Sequence, residues 1–79
     1  MDAYVFLTEI LNEEFGVPLG MIEPTATPAE LGLDSLSMME IVTELEERFE
    51  IKFSVDQLGF KTLGEAATLA EELIRAQTP

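Results

Sequence analysis

The hydroxyl of Ser35, within the stretch "LGLDSLSMME" of residues 31–40, is the side chain best placed for chemistry. A serine that acts as a nucleophile in its own protein needs an adjacent base to accept its proton. The chain has no His and no Cys, its four basic residues all follow residue 47, and the Gly-x-Ser-x-Gly elbow of hydrolases is absent. These absences argue against an enzyme, and we expect no catalytic residue in this chain.

The abundant carboxylates do not form a known metal site either. The ligand spacing and central glycine of an EF-hand are missing, and the absence of Cys rules out a Cys-based zinc site. A glycine-rich phosphate loop with its lysine is also lacking. We therefore expect no metal bound by this chain alone.

A serine can also be modified when a second enzyme supplies the base. In the first turn of a helix its oxygen projects from the surface, and the free backbone N–H groups and the positive end of the helix dipole favour an attached phosphate. The ordinary alternative is that Ser35 or Asp34 only caps the helix. The residues alone leave both interpretations open.

Hydrophobic periodicity and turn residues place Ser35 in an all-α fold. We predict helix 1 over residues 2–15, a long connection over 16–34, helix 2 over 35–49 with Asp34 as N-cap, a short helix 3 over about 55–60, and helix 4 over about 63–76. The prediction is a small three- to four-helix bundle with a long loop between helices 1 and 2, forming a single domain over residues 1–79.

Local signals support these bounds. Gly16 and Pro18 should end helix 1, and Thr27 with Glu30, Ser54 with Gln57, and Thr62 with Glu65 have the spacing of capping boxes. Long loops in compact domains are usually functional. We expect this one to pack onto the helices through its apolar residues, which are Val17, Leu19, Ile22, Leu31 and Leu33.

On a helical wheel, helix 2 has a core stripe and a separate mixed face. The core stripe is formed by Met38, Ile41, Val42, Leu45 and Phe49. Opposite it are Glu40, Glu44 and Glu47, and beside these acids lie Leu36, Met39 and Thr43. An apolar centre with a charged rim is typical of a protein-docking surface. The alternative is that Leu36 packs under the loop and Met39 is incidentally exposed.

The charge is strongly negative, with 16 acidic and 4 basic residues. Residues 1–47 contain eleven of the acids and no base. Such a field repels nucleic acid and anionic lipid and attracts basic proteins, although acidity also simply maintains solubility. The negative field therefore predicts no nucleic-acid partner, and no apolar run is long enough to span a bilayer, which predicts no membrane association. We also expect a cytoplasmic monomer.

The stretch "ELGLDSLSMMEIVTELEERFEI" of residues 30–51 resembles the acyl carrier proteins, whose signature is Asp-Ser-Leu after a Leu-Gly turn, at the start of an acidic helix. The resemblance covers essentially the whole chain. It implies that a phosphopantetheinyl transferase attaches 4′-phosphopantetheine from coenzyme A to Ser35 with Mg²⁺, and that the terminal thiol then carries acyl groups as thioesters. Asp34 matches the aspartate that helps to place the metal in the transferase complex.

The resemblance also implies basic partner enzymes, such as a ketosynthase, an acyltransferase or an acyl ligase. These would dock on the family's interface positions: Leu36, Met39, Glu40, Thr43, Glu44, Glu46 and Glu47. The wheel identifies most of this set independently, whereas Glu46 comes from the resemblance alone.

Three features depart from the family's common patterns. Leu33 stands where peptidyl carriers usually have a second glycine, Arg48 interrupts the glutamate run, and "VDQLGFK" lacks the usual Pro-Asp-Glu opening. Fatty-acid, polyketide and other specialised pathways remain compatible, as do aminoacyl, D-alanyl or peptidyl carriers. The competing functional class is an unmodified acidic module that docks basic partners through helix 2.

Overall fold

The computed structural model describes residues 2–77, which form three α-helices and three short 3-10 helices with no β-strand in that range. The α-helices are α1 (Asp2–Glu13), α2 (Ser35–Phe49) and α3 (Leu63–Gln77). The 3-10 helices are Leu19–Met21, Ala29–Leu31 and Asp56–Gly59. The predicted all-α bundle with a long first loop is confirmed.

The first helix is shorter than predicted, because it ends at Glu13 and not at residue 15. Gly16, at φ 70°, closes it with a left-handed turn in which the Val17 N–H donates to the Leu11 carbonyl at 3.0 Å. The prediction that Gly16 ends this part of the chain was therefore correct. The helix itself stops two residues earlier than the apolar periodicity indicated.

The predicted helix 3 is a single 3-10 turn, Asp56–Gly59. The expected capping box is present, since the Ser54 N–H donates to Gln57 Oε1 at 2.8 Å and the Gln57 N–H donates to Ser54 Oγ at 3.3 Å. At α3 the box is altered. The Glu65 N–H donates to Thr62 Oγ1, but the Glu65 carboxylate accepts from the Lys61 N–H instead of the Thr62 N–H.

The core lies between the apolar face of α1 and the inner faces of α2 and α3. From α1 it contains Ala3, Leu7, Ile10 and Leu11; from α2, Ile41, Val42 and Leu45; and from α3, Leu63, Ala66, Ala67 and Ala70. The small alanines of α3 allow its backbone to approach α1, and larger aliphatic side chains of α1 and α2 fill most of the core. The predicted core stripe of α2 is confirmed, with Met38 and Phe49 half-buried at its ends.

The long first loop is fixed to α3 by backbone hydrogen bonds. The Leu63 N–H donates to the Ala26 carbonyl at 3.0 Å and the Gly64 N–H donates to the Pro24 carbonyl at 2.9 Å, so loop carbonyls cap the start of α3. A Cβ on Gly64 would lie 3.0 Å from the Pro24 oxygen, so a larger residue here would require the loop to shift by a few tenths of an ångström. Val17, Ile22, Leu31 and Leu33 pack inward as predicted, whereas the expectation for Leu19 was wrong because it remains 63% exposed.

Candidate functional site

A tight turn delivers the chain to the start of α2. Gly32 adopts the left-handed conformation at φ 75°, and the Leu33 N–H donates to the Pro28 carbonyl at 3.0 Å, which closes the preceding 3-10 helix. Leu33 then packs against the core. These two residues fix the direction in which Asp34 and Ser35 leave the loop.

Asp34 is the N-cap of α2, as predicted. Its backbone is extended, and Asp34 Oδ1 accepts a hydrogen bond from the Ser37 N–H at 2.8 Å. This hydrogen bond, followed by one from the Ser37 hydroxyl, lowers the pKa of Asp34 below its usual range. A fixed negative charge therefore lies immediately before Ser35 at neutral pH.

Ser35 is the first residue of α2 and its side chain is exposed. Because Asp34 accepts the capping bond, the Ser35 hydroxyl is not required for the helix start. The capping role that the sequence left open between Asp34 and Ser35 therefore belongs to Asp34. The Ser35 side chain lies beside it and is exposed to solvent.

The mixed face of α2 lies next to Ser35 and is exposed except at Glu44, which is half-buried. Leu36 is 70% exposed and Met39 is 51% exposed. We call the set Leu36, Met39, Glu40, Thr43, Glu44 and Glu47 the α2 surface. An open groove of about 390 Å³ lies within it, lined by Met39, Glu40, Thr43 and Glu44. The exposure of Leu36 shows that the alternative, in which this leucine packs under the loop, is wrong.

Glu46 occupies a different place from the other predicted interface residues. It is half-buried, and its Oε2 accepts a hydrogen bond from the Phe53 N–H at 2.9 Å. Its carboxylate therefore anchors the segment that follows α2. The backbone at this point turns through Glu50, a non-glycine residue at φ 55° whose N–H donates to the Glu46 carbonyl.

Glu44 has a strongly raised pKa among the acids of the α2 surface. Desolvation, a hydrogen bond with Glu14 and the charges of Glu14, Glu40 and Glu47 raise its pKa to about 7. The contact with Glu14 joins the turn that follows α1 to α2. Sequence reasoning missed it, because the two residues are far apart in the chain and both are ordinary acids.

The one basic residue of α2 does not neutralise this acidic cluster. Arg48 lies over the ring of Phe6, with its guanidinium carbon 5.4 Å from the ring centroid, and Phe6 meets Phe49 edge-on at 5.8 Å. The interruption of the glutamate run by Arg48 thus corresponds to a contact between α1 and α2. No local pattern could have indicated the pairing, since it depends on how the two helices cross.

Residues 2–77 contain no group of three or more His, Cys, Asp or Glu side chains arranged to hold a metal ion. In the same range, none of the helices combines the length and apolar character needed to cross a bilayer.

Comparison with known proteins matches residues 5–70 to the family described as "Phosphopantetheine attachment site". The chain is 39% identical over 62 residues to the acyl carrier protein of Acidothermus cellulolyticus, covering 76% of this chain and 74% of the relative. It is also 29% identical over 72 residues to the acyl carrier protein of Streptococcus thermophilus, covering 91% of this chain and 96% of that one.

Two further matches concern architecture and context. The fold superimposes on the crystal structure of an acyl carrier protein from Thermotoga maritima with a TM-score of 0.84, covering 98% of this chain and 92% of the other at 18% identity. A stretch of 37 residues is 51% identical to part of the non-reducing polyketide synthase pkdA of Emericella nidulans, covering 47% of this chain and 2% of the synthase. Given the family match, the identity to discrete relatives and the shared fold, the chain belongs to the acyl carrier proteins, which act as carriers and not as catalysts and hold their cargo on covalently attached 4′-phosphopantetheine.

Proposed function

We propose that Ser35 is the attachment point of the 4′-phosphopantetheine and that the α2 surface docks the enzymes that modify and load it. The proposal rests on how the side chains of the three serines in the chain are hydrogen-bonded. Ser54 Oγ accepts from the Gln57 N–H, and the Ser37 hydroxyl is engaged with Asp34. Ser35 is exposed and stands outside both capping arrangements.

The surroundings of Ser35 fit a phosphodiester. It begins a helix of 15 residues, whose first-turn N–H groups and dipole favour negative charge. Asp34 uses Oδ1 for the cap and stays ionised, so its carboxylate is available to a Mg²⁺ ion brought by the transferase. Once attached, the group supplies a terminal thiol that holds acyl cargo as a thioester.

The α2 surface supports docking by its composition. Leu36 and Met39 provide an exposed apolar centre directly after Ser35, and Glu40 and Glu47 provide an exposed acidic rim. Acidic rims increase the rate of encounter with basic enzymes. The partners that we propose are a phosphopantetheinyl transferase, a ketosynthase, and an acyltransferase or acyl ligase.

The attachment site is tested by intact mass after incubation of the full chain with coenzyme A, Mg²⁺ and a broad-specificity phosphopantetheinyl transferase. The wild type, Ser37→Ala and Ser54→Ala should each gain one phosphopantetheine, and Ser35→Ala should gain none. An unchanged wild-type mass would instead favour the unmodified interaction module, and modification of Ser35→Ala would place the attachment elsewhere.

The cargo is proposed to be a fatty-acid or polyketide intermediate, since the matches include both discrete acyl carrier proteins and a polyketide synthase segment. The holo protein should accept an acyl group from an acyl-loading enzyme and pass it to a ketosynthase. Selective loading with an amino acid would point to the aminoacyl or D-alanyl class. We also propose that residues 1–79 act as one domain and as a cytoplasmic monomer, which sedimentation and cell fractionation would test.

A further inference from the structure

A groove that is larger than the one on the α2 surface lies along α3. It encloses about 700 Å³ between the 3-10 helix Asp56–Gly59 and the first three turns of α3. No residue of α2 lines it. Whatever occupies this groove therefore does not compete for the side chains that surround Ser35.

The floor of the groove is apolar and includes the backbone of two glycines. Phe60 and Leu69 are half-buried members of the hydrophobic cluster and expose part of their surface to the groove. Gly59 and Gly64 add no side chain, and no atom lies within 4 Å of a Cβ placed on Gly59. An incoming side chain can thus contact ring, aliphatic and backbone surface together.

The rim of the groove is acidic. Asp56, Glu65 and Glu72 all line it and are exposed, and no Lys or Arg belongs to the lining. Glu65 is held in place, since its Oε1 accepts from the Lys61 N–H at 2.7 Å. Three carboxylates around an aromatic ring and an aliphatic floor are complementary to a cation on an alkyl stem.

Arginine fits this combination better than lysine. Its planar guanidinium stacks on aromatic rings and binds carboxylates in a bidentate manner, while its methylene stem covers apolar surface. The ring of Phe60 is already supported edge-on by Phe53, with centroids 6.5 Å apart, so it forms a preorganised platform.

We propose that this groove is a second docking surface, which binds an arginine-bearing basic segment of a partner protein with the guanidinium beside Phe60 and the rim carboxylates. The surface acts independently of the α2 surface and of the modification of Ser35. A partner held on α3 would leave α2 and Ser35 free for a second enzyme.

The first experiment is an NMR titration of the ¹⁵N-labelled unmodified full chain with a capped hexapeptide of alternating Leu and Arg. Amide shifts should change saturably at Gly59, Gly64, Thr68 and Leu69. Replacing Arg by Lys should weaken binding, and replacing Leu by Ser or Arg by Glu should abolish saturation at these positions. Shifts confined to the α2 surface would overturn the proposal.

Two variants separate groove binding from general attraction to an acidic protein. Glu72→Lys should lower the affinity for the peptide about fivefold or more, because an exposed ion pair between the peptide and the protein is replaced by repulsion. Glu13→Lys makes the same change of net charge at an exposed residue outside the groove and should lower the affinity for the peptide much less. Equal effects of the two variants would contradict a defined site.

A third variant blocks the groove without changing charge. Thr68 is exposed and lines the groove, so Thr68→Trp should fill it, abolish the groove shifts and leave the far-UV circular dichroism spectrum helical. Retained peptide binding by a folded Thr68→Trp variant would overturn the proposal. Groove shifts that depend on protein concentration without peptide would identify a second copy of the chain as the occupant instead. Because every arm uses unmodified protein, failure here is separate from failure of the Ser35 assignment.

Discussion

The helices α2 and α3 have the same length, 15 residues, but distribute their apolar side chains differently. α3 turns small residues inward, with Ala66, Ala67 and Ala70 buried. α2 buries larger residues and in addition leaves Leu36 and Met39 exposed beside its acids. Both helices begin with a satisfied N-terminus, one capped by Asp34 and the other by carbonyls of the first loop.

The difference shows how a small domain separates packing from recognition. The alanines of α3 bring its backbone close to α1 and to the first loop, so the buried face of α3 holds the scaffold together. The exposed apolar residues of α2 add little to that scaffold, because their surface is not removed from water. An apolar side chain that does not stabilise the fold, next to the proposed attachment serine, supports the proposed docking role of the α2 surface.

The largest expected effect tests the two faces of α2 against each other. Leu45→Ala removes a side chain that is 1% exposed and should lower the free energy of unfolding by about 2–5 kcal/mol. Leu36→Ala removes a side chain that is 70% exposed and should change the free energy of unfolding by less than about 0.5 kcal/mol. It should nevertheless slow phosphopantetheinylation. Urea denaturation and mass spectrometry measure the two quantities. A large loss of stability in Leu36→Ala would make that residue structural.

The next effect tests the close approach of α3 to the first loop. Gly64→Ala places a Cβ 3.0 Å from the Pro24 carbonyl oxygen, and we expect a loss of about 1–2 kcal/mol despite the better helix propensity of alanine. Gly59→Ala is the matched control, since its Cβ meets no atom within 4 Å. Equal stability of the two variants in urea would show that the loop moves aside without cost.

Charge reversal tests whether recognition by the transferase is confined to α2. The double variant Glu40→Lys and Glu47→Lys should slow phosphopantetheinylation on the order of tenfold with helicity unchanged, because the charges act on encounter. The control pair Glu13→Lys and Glu23→Lys has the same net charge, is exposed, and lies outside both the α2 surface and the groove along α3. Initial rates followed by mass spectrometry should stay close to wild type for the control. Similar slowing in both would attribute the effect to overall charge.

The smallest effect concerns the contact between Glu14 and Glu44. The pKa of Glu44 is raised from 4.5 to about 7 in the folded protein, so the folded state binds more protons than the unfolded state between these values. Its contribution to stability is therefore present at low pH and is lost as pH rises through about 7. Glu44→Gln should raise the melting temperature slightly at pH 8 and have little effect at pH 5.

The control for this pH dependence is Glu23→Gln, which neutralises an exposed acid of the first loop. It should raise the melting temperature similarly at both pH values if it acts only on general repulsion. Glu14→Gln should behave like Glu44→Gln, since it removes the other half of the same contact. A parallel pH profile for all three variants would contradict a specific effect of the pair.

Local signals in the sequence account for most of the fold and for the centre of the site. The N-cap at Asp34, the capping boxes at Thr27 and Ser54, and the core stripe of α2 depend on neighbours within a few residues, so spacing alone identifies them. The predicted length of helix 1 and the predicted form of helix 3 were less accurate. Apolar periodicity in the sequence continues past the end of a helix, and the position of that end depends on packing.

The sequence by itself determined a helical, acidic chain with a serine at the start of its second long helix, since helix caps, apolar periodicity and charge are local properties. The carrier role was indicated by the resemblance of residues 30–51 to the acyl carrier proteins. Only the tertiary structure decided which acids face one another, that Arg48 lies over Phe6, that Glu46 holds the Phe53 backbone, and that a groove opens along α3. Each of these features joins residues from separate elements. Their contacts depend on how the helices cross and where the loops cap them, which no pattern within a single helix specifies.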